Sequence, residues 1–151
     1  MASLIFLPAW ASAESGKVTL ENDLQAIAAL AKQKNIPLLI EFAAEDCAYC
    51  TLLERDHLGP MTKNHEYTQK IIIRKVMIDS DYRIRDFNGT SMAGDDLAQK
   101  YGVAVTPTVM LFDNDGERLS KRIVGYNGNE YYGWDLDKLI TRSVETVKKI
   151  N

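Results

Sequence analysis

The sequence predicts an α/β domain in which one mixed β-sheet is layered between helices. Three observations carry that reading. Stretches of helical period alternate along the chain with short apolar, β-branched runs; a turn at Asn114-Asp115-Gly116 joins two of those runs; and the last segment has a single apolar stripe, as a helix lying on a sheet does. The 151 residues are enough to bury one sizeable core, and 46% apolar with 26% charged residues is the balance of an ordinary globular domain. A net charge of -3, with both signs interspersed, gives no electrostatic reason to expect nucleic acid or an anionic membrane as partner. No internal repeat, low-complexity tract or long linker divides the chain.

Taken in order, Leu24, Ile27, Ala28 and Ala31 recur at helical spacing between Leu20 and Asn35, with acids early and lysines late, and predict a first helix. Pro37 ends it, and Leu38 to Phe42 is a short apolar run broken by one acid, as a buried strand would be. A second helix is expected from Cys47 towards Leu58, interrupted at Gly59-Pro60. The β-branched run Ile71 to Ile78 predicts a strand near the middle of the sheet, whereas Asp79 to Gly94 is polar and aperiodic. Asp95 to Tyr101 reads as a short helix closed by Gly102. Pro107 to Phe112 and Arg118 to Val124 read as an antiparallel hairpin. Leu136, Leu139, Ile140, Val144 and Val147 mark the closing amphipathic helix.

Two further features bear on function. Leu4 to Ala13 is an apolar run ending in small residues, the pattern of a signal-peptidase site, although no Lys or Arg precedes Lys17. Residues 1–13 are therefore expected to direct export, leaving 14–151 as a single mature domain. The run is too short to span a bilayer as a helix. The second feature is Cys47-Ala48-Tyr49-Cys50. Its two thiols lie one helical turn apart, directly after a strand and where a helix should start. Free backbone N–H groups and the helix dipole at such a position stabilise a thiolate, so Cys47 could act as nucleophile and Cys50, one turn deeper, could resolve a mixed disulfide. Two cysteines are too few for a disulfide framework, and His57 and His65 do not complete a zinc site at any standard spacing. Carriage of Cu(I) by the two thiolates stays open as an alternative.

The stretch Glu41-Phe42-Ala43-Ala44-Glu45-Asp46-Cys47-Ala48-Tyr49-Cys50 resembles the strand and active-site segment of the thioredoxin superfamily, and the resemblance runs from about Leu38 to Ile150. It implies the thioredoxin fold, a central mixed sheet with helices on both faces. Glu41 stands where the family has a buried acid, usually Asp, that moves the proton of the resolving thiol. Lys75 resembles the strand lysine that sits near that acid. Tyr101 to Thr108 is similar to the segment leading to the family's cis-proline, which implies a cis Thr106–Pro107 bond, and Gly125 matches a glycine that lets substrate approach. Asp46 replaces the Trp usual before the first cysteine, and Ala48-Tyr49 replaces Gly-Pro.

The resemblance thus implies a thiol–disulfide oxidoreductase whose catalytic residues are Cys47, Cys50, Glu41 and Lys75 and whose substrate-docking residues are Tyr49, Thr106, Pro107 and Gly125. It implies no cofactor or metal beyond the redox-active Cys47–Cys50 disulfide. Expected partners are a protein disulfide or dithiol and a membrane electron donor, and the chain is expected to act as a monomer. The insert Asp79 to Gly94, Thr106-Pro107-Thr108 and Gly125-Tyr126 look most like the exported SoxW-like thioredoxins, in keeping with a periplasmic location, membrane-tethered if residues 1–13 are retained. Glu45 and Asp46 place negative charge beside Cys47, which opposes thiolate formation and predicts a moderately reducing pair. Tyr126, Tyr131, Tyr132 and Trp134 could pack their loop onto the sheet or form a partner surface, and Tyr82, Phe87 and Met92 could line a substrate lip.

Overall fold

The run after Pro37 forms strand β1, Leu38–Ala43, and every residue of it is buried. A strand covered on both faces needs apolar side chains at odd and even positions alike, which explains the unbroken Leu38-Leu39-Ile40. The computed structural model describes residues 16–150; the expected export segment 1–13 lies outside the described residues. β1 pairs in parallel with β2, Ile72–Met77, and antiparallel with β5, Thr108–Phe112, which in turn pairs with the short β6, Ile123–Val124. The sheet order is β2-β1-β5-β6, a mixed sheet.

Helices cover both faces. On one side Leu38, Ile40 and Phe42 meet Leu24, Ile27 and Ala31 of α1, Leu24–Lys34, and Leu97 of α5, Gly94–Tyr101. On the other, Leu39, Val109 and Leu111 meet Leu53 of α2, Ala48–Leu53, and Leu136, Leu139 and Ile140 of α6, Tyr132–Ile150. The period of two places Glu41 on this second face, under α2, among residues that are otherwise apolar.

Five expectations change in the folded chain. The first helix begins at Leu24 rather than Leu20, capped by the Asp23 carboxylate, which accepts the Ala26 N–H at 2.9 Å. Residues 19–21 instead run along β2: Lys75 N–H donates to Thr19 O at 3.0 Å and Glu21 N–H to Lys75 O at 2.8 Å. β2 is therefore an edge strand of the four-stranded sheet, not a central one, and its apolar side chains, Ile72 and Val76 on one face and Ile73 on the other, reflect the core layers packed on both faces. Gly59-Pro60 does not interrupt the second helix. A π-helical turn, Glu54–Leu58, lets Gly59 N–H reach back to Glu54 O, and Pro60 then falls in the first turn of α3, Gly59–Lys63, where its missing N–H does no harm. A further turn, α4, His65–Thr68, leads to β2.

The fourth change is in the aperiodic insert, which contains a small hairpin, β3, Arg83–Arg85, and β4, Ser91–Ala93. Strands of three residues are too short to show a period in sequence. Arg118 to Val124 also forms less strand than expected, with only an isolated bridge from Phe112 to Arg118 before β6.

The insert is held by one buried acid. Asp86 is fully buried, and its carboxylate accepts the Phe87 N–H at 2.8 Å and the Tyr101 hydroxyl at 2.7 Å, and pairs with Lys100. Burial opposes its charge, but these three donors prevail and hold the carboxyl below the usual carboxylate range. Removing it would leave the Tyr101 hydroxyl without its partner. Asp86→Ala should cost about 3 kcal/mol in urea unfolding at neutral pH, and the difference should shrink as pH falls through the lowered titration of the folded carboxyl; an unchanged midpoint at neutral pH would show that the insert does not depend on this residue.

Candidate active site

The loop after β1 delivers the cysteines to the start of a helical run. Asp46, with φ of 53°, takes the left-handed conformation that Asp tolerates better than most side chains, and Cys47 follows as the N-cap of α2. Two contacts from the insert fix this loop: Glu45 N–H donates to Asp79 Oδ2 at 3.0 Å, and the Tyr82 hydroxyl to Glu45 Oε1 at 3.0 Å. Cys47 and Cys50 form a disulfide with Cα atoms 5.3 Å apart. Cys47 is partly exposed and Cys50 is buried at 4% exposure, so an incoming thiol can reach only the first sulfur. Cys47 Sγ accepts the Cys50 N–H at 3.1 Å and the Thr106 hydroxyl at 3.4 Å.

The opposite wall comes from the loop before β5. The Thr106–Pro107 bond is cis, and the Thr108 hydroxyl closes the loop by donating to Val105 O at 2.6 Å. Pro107 is buried while Thr106 stays partly open beside Cys47. Gly125 N–H donates to Pro107 O at 2.7 Å, and the glycine has a φ of 74° with open space where a Cβ would be. Tyr49 projects from between the cysteines at 59% exposure.

On the face of β1 that also carries Leu39, Glu41 is fully buried and neither carboxyl oxygen has a hydrogen-bond partner. Burial above all, with the negative charge of Glu54 second, pushes its pKa up to about 8, against the pull of Lys75. Lys75 sits across the β1–β2 ladder from Glu41, but its ammonium contacts Glu54 Oε1 at 2.7 Å rather than the Glu41 carboxyl. Glu54 was not singled out from the sequence. It lies four residues past Cys50, and its acid beside Thr51-Leu52-Leu53 reads as an exposed helix position until the π-helical turn and the edge strand bring it to Lys75. Glu54 and Lys75 line a cleft of about 520 Å3 with both cysteines, Glu45 and Asp46.

Tyr132 lies in the same buried layer. Its hydroxyl also lacks a partner, and burial, with the Glu41 charge second, raises its pKa. Next to it the Tyr126 hydroxyl donates to Asp56 Oδ2 at 3.0 Å and meets His57 Nε2 at 3.1 Å, which ties the π-helical turn to the loop before α6. The aromatic group divides between packing and exposure: Tyr126 and Tyr132 pack inward, while Tyr131 and Trp134 are each 65% exposed. Tyr82, Phe87 and Met92 are partly buried and pack against the core. Among the described residues no group of three or more His, Cys, Asp or Glu side chains is arranged to hold a metal ion.

Solved structures with a similar fold include thioredoxins. The thioredoxin of Fasciola hepatica matches with a TM-score of 0.55 at 19% identity, covering 83% of this chain and 99% of its own. A thioredoxin from Nicotiana alata matches with a TM-score of 0.55 at 22% identity, over 85% and 96%. Mitochondrial thioredoxin 3 from Saccharomyces cerevisiae matches with a TM-score of 0.53 at 23% identity, over 82% and 93%. No curated protein matches the chain.

The unpartnered Glu41 carboxyl has a consequence for stability. The folded chain keeps a proton on Glu41 that the unfolded chain releases near pH 4.5, so stability should fall as pH rises from about 4.5 to about 8. The slope from this group is at most about 1.4 kcal/mol per pH unit. Urea unfolding of the oxidised protein across that window should show a decline that Glu41→Gln lacks; parallel curves for the two proteins would mean that the acid is not held protonated. Residues 24–140 match the thioredoxin-like domain family, so the chain belongs to that family, and its Cys47–Cys50 pair supports thiol–disulfide oxidoreductase activity.

Proposed function

We propose that the protein reduces disulfides in protein substrates, with Cys47 as nucleophile, Cys50 as resolving thiol and Glu41 as the group that accepts the resolving thiol's proton. The observation that carries this reading is the placing of one partly exposed sulfur at the start of a helical run with its partner buried behind it. In the reduced protein the Cys47 thiolate attacks a substrate disulfide, forms a mixed disulfide and expels one substrate thiolate. Cys50, losing its proton to Glu41 in the fraction of molecules whose Glu41 is ionised, then attacks Cys47 Sγ and expels the second. The substrate gains two electrons, and the protein is left with the Cys47–Cys50 disulfide, which a dithiol donor must reduce before the next turnover.

The Cys50 N–H and the Thr106 hydroxyl, both directed at Cys47 Sγ, support a thiolate there. Exposed Glu45 and Asp46 oppose it, which supports a moderately reducing pair. Pro107, Thr106, Tyr49 and Gly125 form the rim against which a substrate chain docks. Lys75 acts at one remove, through its pairing with Glu54 and its field at Glu41. The finer placing, a periplasmic relative of the SoxW-like thioredoxins working as a monomer and recharged by a membrane donor, rests on the apolar segment 1–13 and on the insert. Sequencing the amino terminus of the protein extracted from cells tests it, since a chain that keeps residues 1–13 has not been processed for export.

Cys47→Ser should abolish reduction of insulin disulfides, with a fall of at least about a thousandfold, whereas Cys50→Ser should accumulate mixed disulfides visible on non-reducing gels. Full activity in Cys47→Ser would end the assignment. Copper retained after purification under reducing conditions, with no insulin reduction, would replace it by Cu(I) carriage on the same pair. If Glu41 accepts the proton, breakdown of the mixed disulfide should accelerate as pH rises through about 8. Glu41→Gln should slow that step by about 10- to 100-fold and flatten its pH profile; an unaltered profile would remove Glu41 from the mechanism.

A further inference from the structure

We propose that the cleft leading from the disulfide between the cis-proline loop, the β6 edge and α6 holds an extended acidic segment of the protein whose disulfide is exchanged. The inference rests on the oxidoreductase reading above and names the substrate class for it. The cleft encloses about 640 Å3, and Tyr49 and Thr106, the latter in contact with Cys47 Sγ, stand at its disulfide end. Its wall there is apolar and open, with Val105 at 50% and Val124 at 54% exposure. β6 is the last strand of the sheet, so its outer backbone groups can pair with an extended chain.

Charge decides which chain. The cleft is lined by Lys121, Arg122, Lys138 and Arg142 against a single acid, Asp135, in a protein whose net charge is -3. Among the described residues none of these four cations is in a salt bridge. Arg122 donates to the carbonyls of Tyr101 and Gly102, and the Lys138 ammonium rests 4.6 Å over the Trp134 ring, contacts that leave both positive charges uncompensated. The cleft on the other side of the disulfide carries the opposite sign, with Glu45, Asp46 and Glu54 against Lys75. An acidic segment is therefore repelled from one side of the sulfurs and drawn to the other, which orients it as well as binding it.

The test uses the reduced protein and four disulfides: a peptide with an arm of glutamates beside its disulfide, the same peptide with lysines in that arm, neutral hydroxyethyl disulfide, and glutathione disulfide. The glutamate peptide should be reduced about tenfold faster than the lysine peptide at low ionic strength, and the gap should close towards unity at about 1 M salt. Lys138→Glu combined with Arg142→Glu should reverse the order. Equal rates for the two peptides, or a preference that the double substitution leaves in place, would overturn the proposal. So would glutathione disulfide outpacing the glutamate peptide with the same dependence on Lys138 and Arg142, because the cleft would then serve a small thiol. Failure to reduce any of the disulfides would defeat the oxidoreductase reading itself. Calorimetric binding of a cysteine-free glutamate peptide to the oxidised protein would then decide the cleft separately: binding lost in the double variant supports it, and no binding ends it.

Discussion

Strand β1 is the constraint on which the site depends. It is hydrogen-bonded on both edges and buried on both faces, so its register leaves little freedom to the residues at its end. Phe42 pairs with Thr108, which sets the cis-proline loop beside the chain leaving β1, and Glu41 pairs with Lys75 on the other edge. A slip of one residue would exchange Glu41 for an apolar neighbour under α2 and carry the Thr106 hydroxyl away from Cys47. The cysteines, the proline loop and the buried acid are thus three consequences of one register.

The buried acid shows how the same packing makes a chemical group. An isolated carboxylate in an apolar layer is costly, and Glu41 meets that cost by holding its proton. Lys75 is the neighbouring group that could have ionised it directly. Its ammonium is taken up by Glu54, whose own charge presses in the same direction as burial. The ion pair is partly buried on both sides, with side-chain exposures of 19% and 17%, and borders the cleft that leads to the sulfurs. Through it, a change at the surface of the π-helical turn can alter the protonation of a group in the core.

The surroundings of the disulfide are asymmetric in charge and in support. The acidic side is braced by the insert, through Asp79 and Tyr82 holding Glu45, and the insert is itself anchored to α5 by Asp86. The basic side is formed by β6 and α6, with the Tyr126, His57 and Asp56 hydrogen bonds locking the loop between them to the active-site helix. The two walls beside the Cys47–Cys50 disulfide thus carry opposite charge.

Sequence by itself determined the layers and the sulfurs. Hydrophobic period is a local property, and it located β1, α1, α5 and α6 to within a few residues; the C-x-x-C spacing after an apolar strand needed nothing distant to mark the cysteine pair that the fold joins as a disulfide. Tertiary structure decided whatever depends on partners far apart in the chain. That includes the edge position of β2 under residues 19–21, the hairpin in the insert, the capture of Lys75 by Glu54 and the collection of cations from residues 121, 122, 138 and 142 into one cleft. The physical reason is that burial and charge are summed over neighbours in space. A lysine, an acid or a short polar strand takes its meaning from the elements folded against it.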